Sequence, residues 1–281
     1  MPATPSYARR RLGAALKSLR GGTGMSLENV AEVCGWDKSK LSRIENARVS
    51  LSRHDLHKLI DLYEAPCEEL RRLETWMEDS RGPRWWTEYA DILTAPYEEL
   101  ISLEGEASTI YTVNSCLIPG LLQSSAYAHA TIMGSPFVPD IDDADALTQL
   151  RMKRQRILTG ESPVEFTAIV SEASLHAEIG GVEVLRGQLE HLLVLGRLQN
   201  VQIRVVPFSA TASTLVGAFT LVDFAGASEP SVVYVEYHGG AQFKDGERDV
   251  RRYRRSVEHV CGHALGGDES LQLIASRLEA L

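Results

Sequence analysis

Apolar residues recur along the first part of this chain with the period of a helix. Over residues 7–20, Leu12, Ala15, Leu16 and Leu19 fall at three- and four-residue spacings, with Arg9, Arg10, Arg11 and Lys17 among them. The pattern predicts an amphipathic helix that stops at Gly21, Gly22 and Gly24. Ser26 then stands as an N-cap ahead of Leu27, Val30, Ala31 and Cys34, which share one face of a short second helix. Gly35 ends it, because a tight interhelical turn needs a residue that accepts left-handed backbone angles without penalty. Asp37 caps a third helix that carries Leu41 and Ile44 inward. Ser52 with Asp55 three residues later marks a capping box for a fourth helix, faced by Leu56, Leu59, Ile60 and Tyr63. A fifth is expected over 67–77.

The polar, Gly/Pro-containing stretch 78–84 reads as a linker, so the expected domains are 1–80 and 85–281. Beyond it, helical patterns cover 87–90, 96–111, 123–133, 144–158, 182–199, 248–260 and 270–281. Four other runs alternate or are β-branched: 164–170, 201–206, 218–224 and 232–237. The expected fold class is a mainly α N-terminal domain followed by a mixed α/β (α+β) C-terminal domain.

Charge changes the picture. The chain of 281 residues carries a net −9, which argues at first against nucleic acid, since Lys and Arg on phosphates supply most non-specific affinity. The average hides an asymmetry. Residues 1–63 hold 11 Lys+Arg against 6 Asp+Glu, a net +5, while the remainder holds 18 against 32, a net −14. Only the first segment has the sign that a DNA-binding module needs. Cys34, Cys67, Cys116 and Cys261 are scattered without a CxxC pair, so free thiols are expected. No apolar run is long enough to span a bilayer and the first residues lack a signal-type segment; a cytoplasmic protein without membrane attachment is the expectation.

The segment 26–48, SLENVAEVCGWDKSKLSRIENAR, holds the clearest chemistry. Ala31 permits close approach of two helices, Gly35 makes the turn, and Val30, Trp36, Leu41 and Ile44 fill the space between them. Lys38, Ser39, Lys40, Ser42 and Arg43 are left outward on the third helix. All are hydrogen-bond donors suited to guanine edges and phosphate oxygens. Lys40 is expected as a solvated charge and Trp36 as core.

In these features, residues 7–64 resemble the lambda-repressor-like (XRE, Cro/C1) helix-turn-helix family, with Ala31, Gly35, Leu41, Ile44 and Glu45 at its spaced positions. The resemblance implies that Lys38, Ser39 and Arg43 touch base edges with Ser42 adjacent, and that Asn46 and Arg48 lie near backbone phosphates. It also implies an ion pair between Arg20 and Glu45. One departure matters: the second helix opens with Leu27 where the family has a DNA-contacting Gln. That Leu reads either as a thymine-methyl contact or as a protein contact.

The second domain carries the phrases Leu103-Glu104, Ile118-Pro119-Gly120-Leu121-Leu122-Gln123, Arg154-Gln155, Ser171-Glu172, Ile203-Arg204-Val205-Val206-Pro207 and Val233-Tyr234. By these it resembles the Scr1/WhiJ-like, antitoxin-type domain (DUF5753-like). The resemblance implies a small DUF397-type partner protein. The loop 117–122 is open to two readings, a docking loop or a helix-entry turn packed in the core. Basic clusters at Arg151, Lys153, Arg154 and Arg156 and at Arg248, Arg251, Arg252, Arg254 and Arg255 read as a protein-binding surface or as solvated helix faces.

Enzymatic motifs are missing: there is no GxSxG elbow, Walker loop, GxGxxG fingerprint or HExxH helix. His259 and His263 would share a helical face beside Cys261, but a third ligand is not evident, and Glu104, Glu172 and Glu236 have no sequence reason to converge. No catalytic residue, metal or cofactor is expected. The sequence therefore predicts a homodimeric, sequence-specific regulator of double-stranded DNA, modulated through its C-terminal domain by a partner or ligand. The alternative is an antitoxin-like protein that mainly binds a small DUF397-type partner and uses DNA binding for autoregulation.

Overall fold

The computed structural model describes residues 7–79, 85–136, 140–210, 216–225 and 229–281; the side chains of 7, 8, 38, 78 and 79 are outside that description. Of the predicted linker, residues 80–84 also lie outside it. The chain divides into two compact units, 1–87 and 88–281.

The first unit is all helical: α1 (Tyr7–Thr23), α2 (Leu27–Cys34), α3 (Lys38–Glu45), α4 (Arg53–Leu62) and α5 (Cys67–Asp79). Leu12, Leu16, Val30, Leu41, Ile44, Leu56 and Leu59 meet in one core, each from the apolar face that its spacing predicts, and Trp76 of α5 joins them. Three caps act where the sequence places them. Ser26 Oγ accepts the Asn29 amide at 3.1 Å, Asp37 Oδ1 accepts that of Ser39 at 2.7 Å, and Ser52 Oγ accepts that of Asp55 at 3.0 Å. Gly35 takes φ +63° and its amide reaches back to the carbonyls of Ala31 and Glu32, closing α2.

α1 departs from expectation by running through Gly21 and Gly22. Glycine weakens a helix interior by only about 1 kcal/mol, and here the last turn has other support. Thr23 Oγ donates to the Arg20 carbonyl at 2.8 Å and Arg20 Nη1 donates to the Met25 carbonyl at 2.9 Å. The chain turns instead at Gly24, with φ +71°.

The second unit is a six-stranded mixed sheet with helices, an α+β fold. Its strands are β1 (Thr109–Asn114), β2 (Glu165–Ser171), β3 (Val201–Val206), β4 (Phe219–Asp223), β5 (Val232–Tyr237) and β6 (Gly240–Lys244), in the order β3-β2-β1-β4-β5-β6. β1, β2 and β3 run parallel, while β1–β4, β4–β5 and β5–β6 are antiparallel. The parallel crossovers carry α7 (Ser125–Met133), α8 (Ile141–Arg154) and α9 (Val182–Leu195); α6 (Ala95–Glu106) precedes β1, and α10 (Glu247–His263) and α11 (Gly267–Glu279) follow β6. One face of the sheet, with Val113, Ile169, Val206, Phe219, Leu221 and Val233, packs against Val257 and Val260 of α10. Strand alternation turns Ile110, Phe166, Ala168, Ile203, Val205 and Val222 to the other face, and all are buried.

β1 and β6 were not expected. The helix predicted over 96–111 ends at Glu106, and Thr109–Asn114, a β-branched and aromatic run, pairs with β2 and β4 instead. The loop 117–122 is a packed turn: Leu121 and Leu122 are buried, which removes the docking reading. Polar side chains clamp its backbone. Gln155 Nε2 donates to the carbonyls of Gly120 at 3.0 Å and Gln123 at 2.7 Å, and Gln188 Nε2 donates to that of Leu122 at 2.8 Å.

Candidate nucleic-acid interface

α2 and α3 are the pair expected to form the helix-turn-helix. Between them the chain needs only the Gly35 turn, after which the Trp36 amide donates to the Ala31 carbonyl at 2.8 Å. α3 packs on α1 at a point where backbones nearly touch. A Cβ on Gly13 would stand 2.7 Å from the Glu45 carbonyl oxygen and 2.8 Å from that of Ile44, so only glycine allows this approach.

The far end of α3 is tied down by charge. Arg20 donates from Nε to Glu45 Oε1 at 2.7 Å and from Nη2 to Oε2 at 3.0 Å, the two-pronged geometry that guanidinium and carboxylate favour. These bonds hold the Arg20 proton more firmly than usual. Next to this pair, burial pushes the Tyr63 hydroxyl up. At the opposite end of the helix, the Ser39 amide holds the Asp37 carboxyl below the usual range.

Clamped at both ends, α3 offers its outer face to solvent. Ser39, Arg43 and Asn46 follow at i, i+4 and i+7 and are exposed, with Ser42 half-buried beside them. Arg43 donates from Nε to the Ser39 carbonyl at 3.2 Å and from Nη2 to Ser39 Oγ at 3.1 Å, so the guanidinium lies along the helix with donors to spare. Asn46 is the C-cap, and its Nδ2 donates to the Ser42 carbonyl at 2.7 Å. Ala47 then takes φ +58° and Arg48 stands exposed beyond the turn. The backbone of Lys38 opens α3; its side chain lies outside the described residues.

Two neighbours differ from their expected roles. Lys40 is no free solvated charge: Nζ donates to Asp55 Oδ2 at 2.9 Å and lies 4.1 Å from the centre of the Trp36 ring. Burial alone would raise Asp55, but its bond with Lys40 helps carry it below the usual carboxylate range. Trp36 is half-buried against the core, its face covered by that ammonium. Leu27 packs against the same core, which accounts for its apolar character without a thymine contact. Gly13 and the Lys58 ammonium, which donates to the Cys34 carbonyl at 2.8 Å, are parts of the element that periodicity does not flag.

The other candidate chemistry disperses. Glu104 is buried with Arg154, Glu172 accepts the Phe208 amide at 2.7 Å, and Glu236 is exposed on β5. The rings of His259 and His263 lie 4.7 Å apart on α10, and among the described residues no group of three or more His, Cys, Asp or Glu gathers to hold a metal. The cluster at 151–156 is not a basic surface either: Arg154 is buried, Arg151 Nη1 donates to Gln123 Oε1 at 2.6 Å, and Lys153 pairs with Glu88. No helix among the described residues is long and apolar enough to cross a membrane.

Comparison with known proteins agrees with this division. A family model described as a helix-turn-helix domain matches residues 11–73, and one described as a domain of unknown function, DUF5753, matches residues 97–276. No curated protein and no solved structure matches the chain. The helix-turn-helix domain points to a DNA-binding regulator rather than an enzyme. With the DUF5753 match spanning most of its length and nearly all of its second unit, the chain belongs to the DUF5753 family and carries a helix-turn-helix domain at its N-terminal end.

Proposed function

We propose that this protein is a sequence-specific transcriptional regulator that acts in the cytoplasm as a homodimer, places two copies of α3 in successive major grooves, and is modulated through its second unit. The observation that carries the reading is the donor-rich outer face of α3, where Ser39, Ser42 and Arg43 stand over a helix fixed at both ends, with Asn46 and Arg48 following. Lys38 belongs to the set by its place in the first turn. Lys38, Ser39 and Arg43 read base edges, with Ser42 adjacent; Asn46 and Arg48 hold phosphates. Dimerisation follows from physical need, because one recognition helix covers too few base pairs for useful specificity.

Selection from a pool of random duplexes tests this. The wild type should enrich a two-fold symmetric sequence with half-sites about 34 Å apart, one turn of the double helix. Arg43→Ala should lose about 1–3 kcal/mol of discrimination at one base in each half-site. An identical preference from both proteins would remove Arg43 from the reading surface.

For modulation, the groove between α7, α8 and the start of α9 is the supporting feature. It is an open groove of about 820 Å³ with a mixed lining that includes Ala126, Ala130 and Val184 and the polar His129, Asp145 and Gln149, while the same helices expose Met133, Ile141 and Val182. A small DUF397-type protein is the proposed occupant. Adding it should change operator affinity, and an unchanged affinity would leave the second unit without this role.

A further inference from the structure

α10 turns two different faces outward and inward. Inward, Val257 and Val260 join the sheet core with Tyr253 against it, and Arg254 anchors the helix by donating to Asp223 Oδ1 at 2.7 Å and Oδ2 at 3.1 Å. This anchor sets the rotation of the helix. With 3.6 residues per turn, Arg248, Arg252, Arg255, His259 and His263 then form one stripe, and all five are exposed. Arg251 lies at its margin and is paired with Glu247; Asp249 and Glu258 lie off to the sides. The guanidinium groups of Arg248 and Arg252 make no hydrogen bond or ion pair among the described residues, and that of Arg255 reaches only the Arg251 carbonyl. Gly246, Arg248, Asp249, Arg252 and Arg255 line an open concavity of about 780 Å³.

We propose that α10 is a second DNA-contacting surface, in which Arg248, Arg252 and Arg255 bind the phosphate backbone of a duplex without regard to sequence. The proposal rests on the reading of this chain as a DNA-binding protein. Charge selects an anion, and the composition of the stripe selects among anionic partners. Protein interfaces bury an apolar, aromatic core, and membrane-surface helices insert an apolar face. Neither exists here: besides the arginines, the stripe and its margins carry Ser256, Gly262 and the two histidines, with the acids Asp249 and Glu258 at the sides, and none of these is a large apolar residue. Phosphate binding requires only cations and donors. The three arginines span about 10 Å of helix, and duplex DNA carries one charge per about 1.7 Å of axis. The acidic total of the region does not oppose the contact, because charges beyond about 8 Å are largely screened at physiological salt.

The test is a salt titration of full-length protein on its own upstream DNA and on a random duplex of equal length, read by fluorescence anisotropy. The variants are Arg248→Ala/Arg252→Ala/Arg255→Ala, the same three positions changed to Lys, and Arg43→Ala, each checked for an unchanged melting temperature. Losing three phosphate contacts should flatten the slope of log K against log salt by about 2.7 on both duplexes, so between 50 and 200 mM salt the wild type loses about fortyfold more affinity than the triple-Ala variant. The Lys variant should keep the wild-type slope. Arg43→Ala should lower only the preference for the native sequence. An unchanged slope in the triple-Ala variant, with binding and preference intact, overturns the role of α10 and leaves the helix-turn-helix reading standing. A wild type that binds neither duplex overturns both. Loss of an acidic protein partner, with the DNA slope unchanged, would reassign the stripe to protein.

Discussion

Each unit of the molecule contains an arginine–glutamate pair with a buried carboxylate, and the two pairs are built differently. In the first unit, Arg20 grips Glu45 with two hydrogen bonds at 2.7 and 3.0 Å, and its guanidinium also donates to a backbone carbonyl at the rim of the helical core. In the second, Arg154 and Glu104 approach to 2.9 Å with side chains only 7% and 3% exposed, yet Arg154 Nε and Glu104 Oε2 are not aligned for a hydrogen bond. Arg154 also donates to the Tyr97 hydroxyl at 2.8 Å. Burial pushes the Glu104 carboxyl up against the opposing pull of Arg154 and Arg151, whereas the Arg20 guanidinium is held chiefly by its bond to Glu45. One pair ties the end of α3 to α1. The other fastens α6 to α8 at a large desolvation penalty, the situation in which an ion pair adds little over apolar packing but is costly to break.

That contrast is open to direct attack. The largest effect belongs to Glu104→Leu, which strands the Arg154 charge in the interior and should destabilise the second unit by about 3–5 kcal/mol in urea denaturation. Changing Arg154→Leu together with it should restore most of the loss. If the double variant is as unstable as the single one, the pair is doing more than cancelling its own burial. A smaller loss is expected for Arg20→Met. It removes two charged hydrogen bonds and leaves the Glu45 carboxylate unpaired at the rim of the core, a loss of about 2–3 kcal/mol, and because Glu45 then no longer fixes the end of α3, operator affinity should fall further than stability does. Equal losses would mean that the bond stabilises the unit without aiming the helix. Smallest is Ser26→Ala, which deletes the cap on α2 and should cost about 1 kcal/mol in a thermal melt. No change there would show that Asn29, beside that hydroxyl, already covers the helix end.

The same contrast separates what could be read from the sequence. In the first unit the signals are local: Ser26, Asp37 and Ser52 cap the helices they precede, and Gly35 turns where predicted. The outer face of α3 follows from the same periodicity, which is why Ser39, Ser42, Arg43 and Asn46 come together on it. In the second unit the decisive contacts are long-range. Arg154 sits at the end of a helix that reads as basic and solvated, and only the fold brings it beneath the Gly120 turn, where an added Cβ would stand 2.9 Å from Nη2. β1 was hidden because nothing but Ala107 and Ser108 separates it from α6, and β6 because Gly240–Lys244 is a short edge strand whose place depends on pairing with β5. Arg254 shows the limit plainly. Arg251, Arg252 and Arg255 around it are exposed, but Asp223, thirty-one residues earlier, turns it inward.

The most direct test of the central claim is the binding of wild-type protein to its own upstream DNA and to scrambled DNA of equal length, measured by fluorescence anisotropy at physiological salt. A regulator that reads sequence through α3 should prefer the native duplex at least about a thousandfold. Equal affinity for the two duplexes would contradict it and would move the weight of the function to the second unit.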